Sequence, residues 1–329
     1  MSSLPAAPHP PIDSAITLRA TQWWMALLPP GASPESHAAC ARWRAEHPDH
    51  ERAWQHLHAF NTAMHGMPRG IASAALADTS ASRGTPQRGR RRAMVLMATG
   101  AVVAASWQWQ RGSPLVAWRA DHETGVGERR QLVLDDGTEV DLDTDSAVAV
   151  RYGASERRVT LLAGALSVAT ASDPLGRPFR VATAQGTLRA LGTRFTVRLH
   201  DDATAVSVQE GAVEIRPADN AAETHVLQAG ERTRFTRSAI DPADPASVAD
   251  NAWTQGMLAV HDMRLDAFLA ELGRYRHGRL GCAPAVAGLR VSGVFPLSDT
   301  DQVLAALPHL LPVTVHRWTR YWVSVRPRA

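Results

Sequence analysis

The chain has 329 residues, is 45% hydrophobic and carries a net charge of +3, as expected of a globular protein of two or three domains. All 35 of its basic residues are arginines. The excess positive charge lies in residues 1–92, which hold 10 arginines and 6 acidic residues. Most of it is the cluster Arg88–Arg92, which is too small and too local for a nucleic-acid footprint and suits anionic lipid headgroups.

Residues 1–65 are predicted to form a small bundle of three amphipathic helices. Apolar residues recur there at helical spacing, and the intervening residues are polar. Helix caps, breakers and first-turn prolines define the ends of the helices. These signals are Asp13 or Ser14, then Pro29-Pro30-Gly31, then Ser33-Pro34, and a third start near Asp49.

The bundle holds four tryptophans, Trp23, Trp24, Trp43 and Trp54. A core of about 50 residues is marginal on its own, and burial in it explains about half of them. The excess of aromatic residues predicts a partner that completes the core. A helix-turn-helix DNA binder also has three helices, but no recognition helix rich in Arg or Gln is present.

An uncharged stretch of 18 residues, 93–110, follows the arginine cluster. As a helix it would be about 27 Å long, against about 30 Å for the hydrocarbon core of a bilayer. Arg92 and Arg111 flank it, and Trp107 and Trp109 lie where an aromatic belt would be. A buried helix of a soluble domain is the alternative, but adjacent arginines at its start would need partners or water. We therefore expect a single transmembrane helix.

The arginine cluster also predicts an orientation, because positive residues stay on the cytoplasmic side. Residues 1–92 would be cytoplasmic and residues 111–329 periplasmic, in a single-pass protein of a bacterial inner membrane. A twin-arginine export signal would give the same topology. Residues 66–92 are rich in Gly, Ser, Ala and Arg, and are predicted to be a flexible basic tether.

Residues 111–245 are predicted to form an all-β domain. Leu132 to Leu142 read as a strand, an Asp-Gly turn and a second strand. A glycine between two strand-like halves recurs three more times, at 161–166, 208–213 and 227–231. This pattern predicts an antiparallel sandwich or a short β-solenoid built of hairpins.

Residues 251–329 are predicted to form a small α/β domain that ends in a hairpin. It looks like the short N-terminal domain of secretins and of signal-transducing TonB-dependent receptors. An exposed edge of its sheet could receive a strand from a partner. The apolar stripe on the first helix of this domain is the candidate for receptor contact. Packing of the stripe in the domain's own core is the stronger interpretation. Its members are Leu265, Phe268, Leu269 and Leu272.

No motif for catalysis or for a cofactor is present. The chain has no nucleophile beside a base, no phosphate loop and no Cys-x-x-Cys. The histidines of the predicted exported part are scattered, and so no metal site is expected. On the predicted topology Cys40 and Cys282 would face different compartments and could not pair within one molecule. We expect no enzyme and no cofactor.

Several motifs resemble the FecR family, in the family's order and over nearly the whole chain. The β domain carries LVLDDGTEVDLDTDSAVAV, RRVTLLAGAL, RALGTRFTVR and VSVQEGAVEI. The helical segment, with WWMALLPPG, is similar to the family's cytoplasmic segment, and WTQGMLAVHDMRLDAFLAELGRY to its C-terminal signature. The resemblance implies a membrane-anchored anti-sigma regulator of iron and siderophore uptake.

The resemblance also implies the partners. Residues 1–65 would bind a sigma factor of the extracytoplasmic-function type, and the exported domains would receive a signal from the periplasmic domain of an outer-membrane TonB-dependent receptor. A membrane protease would then release the cytoplasmic segment. Two alternatives stay open: a membrane-anchored transcription regulator that binds DNA directly, and a periplasmic scaffold or wall-binding protein.

One peptide bond, Gly192-Thr193, is a candidate for self-cleavage, because some FecR-like proteins cleave themselves at a Gly-Thr bond. The Thr193 hydroxyl would attack the preceding carbonyl and form an ester that water opens. Glycine gives access and tolerates a strained turn. A plain glycine turn between two strands is an equally good interpretation.

Overall fold

The computed structural model describes four parts of the chain, residues 14–27, 33–65, 120–220 and 222–328. In these parts no helix is long and apolar enough to cross a membrane. The longest helix has 18 residues, but Asp49, Glu51 and Arg52 make its first turns polar.

The prediction of a single transmembrane helix, and of a single-pass inner-membrane location drawn from it, is therefore wrong on this structure. The predicted span, 93–110, and the predicted tether, 66–92, lie outside the described residues. Length and flanking arginines favour a span at 93–110. However, 10 of its 18 residues are Ala, Gly, Thr, Ser or Gln, which makes the stretch only weakly apolar.

Three helices form the N-terminal bundle: α1 Ser14–Leu27, α2 Pro34–Glu46 and α3 Pro48–His65. The start of α2 has the predicted cap, because the Ser33 Oγ accepts a hydrogen bond from the Ser36 N–H at 3.2 Å. The Arg44 guanidinium donates to both carboxylate oxygens of Glu51, at 2.7 and 2.9 Å. This pair ties α2 to α3.

The β domain consists of fourteen short strands in the described residues 120–245. The strands are β1 His122–Glu123, β2 Arg130–Val133, β3 Glu139–Leu142, β4 Ala147–Tyr152, β5 Arg157–Ala163, β6 Ala165–Ala169, β7 Phe179–Ala182, β8 Gly186–Ala190, β9 Arg194–Leu199, β10 Thr204–Glu210, β11 Ala212–Pro217, β12 His225–Gln228, β13 Glu231–Phe235 and β14 Asp244–Pro245. The pair β2–β3 is the hairpin predicted from Asp135-Asp136-Gly137.

These strands form two seven-stranded sheets, in the orders β1-β4-β5-β7-β8-β11-β12 and β14-β13-β10-β9-β6-β3-β2. The chain changes sheet after every one or two strands, so the domain is a sandwich wound from hairpins. One core lies between the sheets, and alternate residues of each strand point into it. Its largest fully buried side chains include Leu142, Phe179, Phe195, Ile215 and Phe235.

The C-terminal domain combines five strands with three helices. Its strands are β15 Met257–Arg264, β16 Arg279–Cys282, β17 Arg290–Pro296, β18 Val313–Thr319 and β19 Trp322–Pro327, and its helices are α4 Leu265–Gly273, α5 Pro284–Ala287 and α6 Thr300–Leu310. Two short 3₁₀ turns, Val248–Asp250 and Ala252–Gln255, precede β15. One sheet pairs β15 with β17, and the other has the order β16-β19-β18.

Buried polar contacts join the β domain to the C-terminal domain. The Asp143 carboxylate, 1% exposed, accepts hydrogen bonds from the Arg274 guanidinium at 3.0 Å and from the Tyr275 hydroxyl at 2.9 Å. The Arg198 guanidinium donates to both carboxylate oxygens of Glu271, at 2.7 and 3.0 Å. Burial opposes ionisation of Glu271, but its hydrogen bonds and the charge of Arg198 outweigh burial and lower its pKa. The two domains therefore share a charged, hydrogen-bonded interface.

Candidate functional site

Two of the four candidate tryptophans belong to the core of the bundle. Trp43 and Trp54 are each 9% exposed. The Trp43 ring stacks on the His50 imidazole with centroids 4.5 Å apart, and the Arg44 guanidinium lies 5.2 Å from the Trp54 ring. These contacts account for both residues as packing.

Trp23 and Trp24 are only half-buried, on α1. The Arg19 guanidinium lies 5.3 Å from the Trp23 ring, and the Trp23 Nε1 is buried without a hydrogen-bond acceptor among the described residues. Trp24 lies 5.4 Å from Trp54 between ring centroids, and it also packs on a small cluster in the C-terminal domain. Trp23 is therefore the tryptophan whose packing the bundle leaves least complete.

The Gly192-Thr193 bond lies in the tight turn from β8 to β9. Gly192 is exposed and has φ +78°, a left-handed conformation that glycine adopts without strain. Thr193 is 5% exposed. A Cβ added to Gly211 would lie 2.3 Å from the Gly192 carbonyl oxygen, so the neighbouring strand ends also pack tightly against this turn.

The Thr193 side chain has an unusual environment for a buried hydroxyl. The Thr193 N–H donates to the Thr170 Oγ1 at 2.9 Å, and the Thr193 carbonyl accepts from the Thr170 N–H at 3.0 Å. The Thr193 Oγ1 itself is buried and has no hydrogen-bond partner in the described part of the chain. Leaving a buried hydroxyl unpaired costs about 1–3 kcal/mol, and such atoms are rare without a reason.

An open cavity of about 270 Å³ adjoins this turn and is lined by three arginines. The buried Arg157 pairs with Asp136 at 2.6 Å, and Arg177 pairs with Asp173 at 2.9 Å. The hydrogen bond from Arg177 lowers the pKa of Asp173 to about 2. The third arginine, Arg189, has a buried Nε that no described residue accepts from. Gly192 also lines this cavity, in which the charges of Arg157 and Arg177 are balanced by their carboxylate partners.

The apolar stripe of α4 is core, and this corrects its candidacy for receptor contact. Leu265, Phe268 and Leu272 are 0% exposed and Leu269 is 1% exposed. Their side chains pack in the core of the C-terminal domain. They are therefore not available to a partner that binds the folded surface.

Exposed aromatic residues lie instead at the C-terminal hairpin, where the sequence analysis did not place them. Trp318, Tyr321 and Trp322 are 65%, 49% and 57% exposed. The alternation of residues along the hairpin could have predicted them, because Val313, Val323 and Val325 mark the buried face. The intervening tryptophans must then face outward.

Neither a metal site nor a disulfide is seen among the described residues. No group of three or more His, Cys, Asp or Glu side chains there could hold a metal ion. Cys40 is buried, Cys282 is half-buried, and both are free thiols whose pKa values are raised by burial. A raised pKa keeps a thiol protonated and unreactive.

Two family models match this architecture. Residues 120–214, which span β1 to the first half of β11, match the FecR protein family. The chain carries a FecR domain. Residues 19–60, within the three-helix bundle, match a domain of unknown function, DUF4880. No curated protein matches the chain.

The fold of this chain also resembles solved structures. Two crystal structures of a proposed anti-sigma factor from Parabacteroides distasonis ATCC 8503, at 2.50 and 1.65 Å resolution, superpose with TM-scores of 0.52 and 0.51. Each is 22% identical to this chain. The alignments cover 63% and 62% of this chain and 98% and 97% of the solved chains. At this identity the likeness shows a common fold.

Proposed function

We propose that this protein is an anti-sigma regulator, in which the helical bundle binds a sigma factor and the C-terminal domain receives the controlling signal. The observation that carries the proposal is the combination of a FecR domain with a separate small helical domain in one chain. The resemblance in fold to a proposed anti-sigma factor supports it.

The bundle has the physical properties of a domain that needs a partner. It is a core of three short helices, and about 50 residues bury too little apolar surface for high stability. The Trp23 ring is half-buried, and its buried Nε1 lacks an acceptor among the described residues. A partner that covers α1 would bury the exposed part of the ring, as happens to tryptophans at the centres of interfaces.

In the finer form of the proposal, the sigma factor is of the extracytoplasmic-function type and the signal comes from the signalling domain of a TonB-dependent receptor. Proteolysis between the helical bundle and the FecR domain then releases the bundle. The genes that the sigma factor controls serve iron or siderophore uptake.

The test is co-purification with the tagged full-length chain from its native organism. We expect a sigma factor with the wild type, and at least a tenfold lower yield with Trp23→Ala and with the charge reversal Arg19→Glu. The matched control is Trp318→Ala, because Trp318 is an exposed tryptophan far from the bundle in the sequence. This variant should recover as much sigma factor as the wild type. Recovery of DNA without a sigma factor would favour a direct transcription regulator, and equal yields from all variants would contradict the proposal.

Self-cleavage at Gly192-Thr193 is a second proposed activity, supported by the Thr193 Oγ1, which has no hydrogen-bond partner among the described residues and lies beside an exposed glycine turn. The hydroxyl oxygen would attack the Gly192 carbonyl carbon, and the C–N bond would break as the proton moves to the Thr193 nitrogen. Water would then hydrolyse the resulting ester to a carboxylic acid at Gly192 and a free Thr193 hydroxyl. One water is consumed per bond.

Mass spectrometry of the purified chain tests the cleavage. We expect fragments 1–192 and 193–329 from the wild type and from Thr193→Ser, which keeps the nucleophile. Thr193→Val has nearly the same shape without the hydroxyl and should stay intact. An intact wild-type chain, or a cleaved Thr193→Val chain, would contradict self-cleavage.

A further inference from the structure

The three-stranded C-terminal sheet has an open edge at β18 and an exposed outer face in the described structure. Its strand order is β16-β19-β18, so β18 pairs on one side only. The helices and the core lie against the face that carries Val313, Val323 and Val325. The opposite face carries Trp318 and Trp322, which are more than half exposed.

Hydrogen-bond alternation shows which backbone groups of β18 are available. In an antiparallel pair, hydrogen-bonded and non-hydrogen-bonded residue pairs alternate. The Arg328 N–H donates to the Pro312 carbonyl at 3.0 Å, and the register continues as Val313 opposite Pro327 and Val315 opposite Val325. Val315 and Arg317 therefore belong to the non-bonded pairs, and their N–H and C=O groups point to the open edge.

The hairpin's own charges are of one sign, although Arg317 pairs with Asp301 of α6 at 3.7 Å. Residues 313–329 contain four arginines and no acidic residue. Two of them lie on aromatic rings, Arg326 at 5.6 Å from Trp318 and Arg320 at 4.5 Å from Tyr321. Arginine stacked on an aromatic ring keeps its outer N–H donors free for a carboxylate.

Two occupants fit this surface poorly. A second copy paired edge to edge would bring arginines of both strands together, which disfavours it. The stretches 1–13 and 66–119 of this chain carry only one acidic residue each, Asp13 and Asp78. The surface nevertheless has the character of a binding site. Edge strands without a partner are protected from aggregation, whereas this one exposes two tryptophans, and exposed aromatic patches mark interaction sites.

We propose that β18 and its outer aromatic face bind an extended acidic segment of another protein, which adds to the sheet as a fourth strand. Main-chain hydrogen bonds to Val315 and Arg317 give the pairing, carboxylates meet Arg320 and Arg326, and an apolar residue packs on Trp318. That this segment belongs to the signalling partner rests on the proposed function, whereas the binding chemistry does not.

The probe is a synthetic octapeptide that alternates glutamate and valine, added to the full-length protein. We expect saturable binding by calorimetry, slower amide hydrogen exchange at Val315 and Arg317, and weaker binding at high salt. The octapeptide with lysine in place of glutamate is the matched control and should bind at least about tenfold more weakly, because it meets the arginines with like charge.

Variants separate the backbone contribution from the charge. Arg317→Pro removes an edge N–H that β19 does not use and should weaken binding about tenfold more than Arg317→Ala does. If Arg317→Pro lowers the melting temperature, Arg326→Glu serves instead and should abolish binding of the acidic peptide while improving that of the lysine peptide. Sigma-factor recovery with Arg326→Glu should be unchanged, which distinguishes failure of this proposal from failure of the proposed function.

Three results would overturn the proposal. The first is equal binding of the acidic and the lysine peptides. The second is binding without protection of the β18 amides. The third is displacement of the bound acidic peptide by anionic vesicles or by a single-stranded oligonucleotide that the peptide cannot displace in turn. That result would assign the arginines to another class of partner.

Discussion

The Asp143→Ala substitution probes the interface between the FecR domain and the C-terminal domain. The carboxylate is 1% exposed and accepts hydrogen bonds from both Arg274 and Tyr275. Removing one partner of a buried ion pair costs about 3–5 kcal/mol, because the other charge stays desolvated. The Arg274 side chain is 24% exposed and can reach water, so we expect the lower end, about 3 kcal/mol.

The assay is thermal and urea unfolding of the full-length protein. For domains of this size, about 3 kcal/mol corresponds to a fall in melting temperature of about 6–12 °C. Asp143→Asn keeps an acceptor for the Tyr275 hydroxyl and should lose less, about 1–2 kcal/mol. Loss of cooperativity, with two transitions in place of one, would show that this contact couples the two domains.

The matched control is Asp219→Ala. Asp219 pairs with Arg237 at 2.7 Å, but both side chains are more than half exposed, and water screens such a surface pair so that it adds little to stability. Equal stability of Asp143→Ala and Asp219→Ala would contradict this prediction, because it ranks the two pairs by their burial.

Three further predictions concern the turn, the core and pH. Gly211→Ala should lower the free energy of unfolding in urea by at least about 2 kcal/mol, because the added Cβ would lie 2.3 Å from a carbonyl oxygen. Gly230→Ala is the control and should lower it by about 1 kcal/mol, because Gly230 has φ +83° but open space around its Cβ position. Leu269→Ala should cost about 2–5 kcal/mol in the same assay, and no loss would show that α4 does not pack as described. Because the folded-state pKa of Glu271 is lowered, its contribution to stability is present above its unfolded pKa, near 4.5, and is lost as pH falls below that value. A plot of melting temperature against pH should lose that acid dependence in Arg198→Ala, and an unchanged plot would contradict the assignment.

Local signals in the sequence predicted much of the fold. The cap at Ser33 and the Asp-Gly turn at Asp136-Gly137 specify their structures within a few residues, and both are present. Four strands and two helices of the C-terminal domain follow from period-2 and period-3.6 patterns in the same way, whereas β16 and α5 were not predicted.

Long-range contacts could not be predicted in this way. The strand β16 has four residues and pairs in parallel with β19 some 40 residues later, so its sequence carries no signal of its partner. The interface pair Asp143–Arg274 spans 131 residues. Such contacts depend on how whole domains pack, which periodicity does not encode.

The candidate site was predictable only in part. The tryptophans of the bundle stand out by composition, but only the structure separates buried Trp43 and Trp54 from half-buried Trp23 and Trp24. The unpaired Thr193 hydroxyl depends on the geometry of a turn and of its neighbour Thr170. The predicted membrane span weighed length and flanking charge above weak apolarity, and no helix among the described residues could cross a membrane.

Photo-crosslinking from position 23 tests the central claim most directly. A photoreactive phenylalanine analogue would replace Trp23 in the full-length chain within its native organism, with the same replacement at Trp318 as the control. The account predicts a crosslinked sigma factor from position 23 and none from position 318. Crosslinks from position 23 only to DNA, or only to this chain's own C-terminal domain, would contradict it.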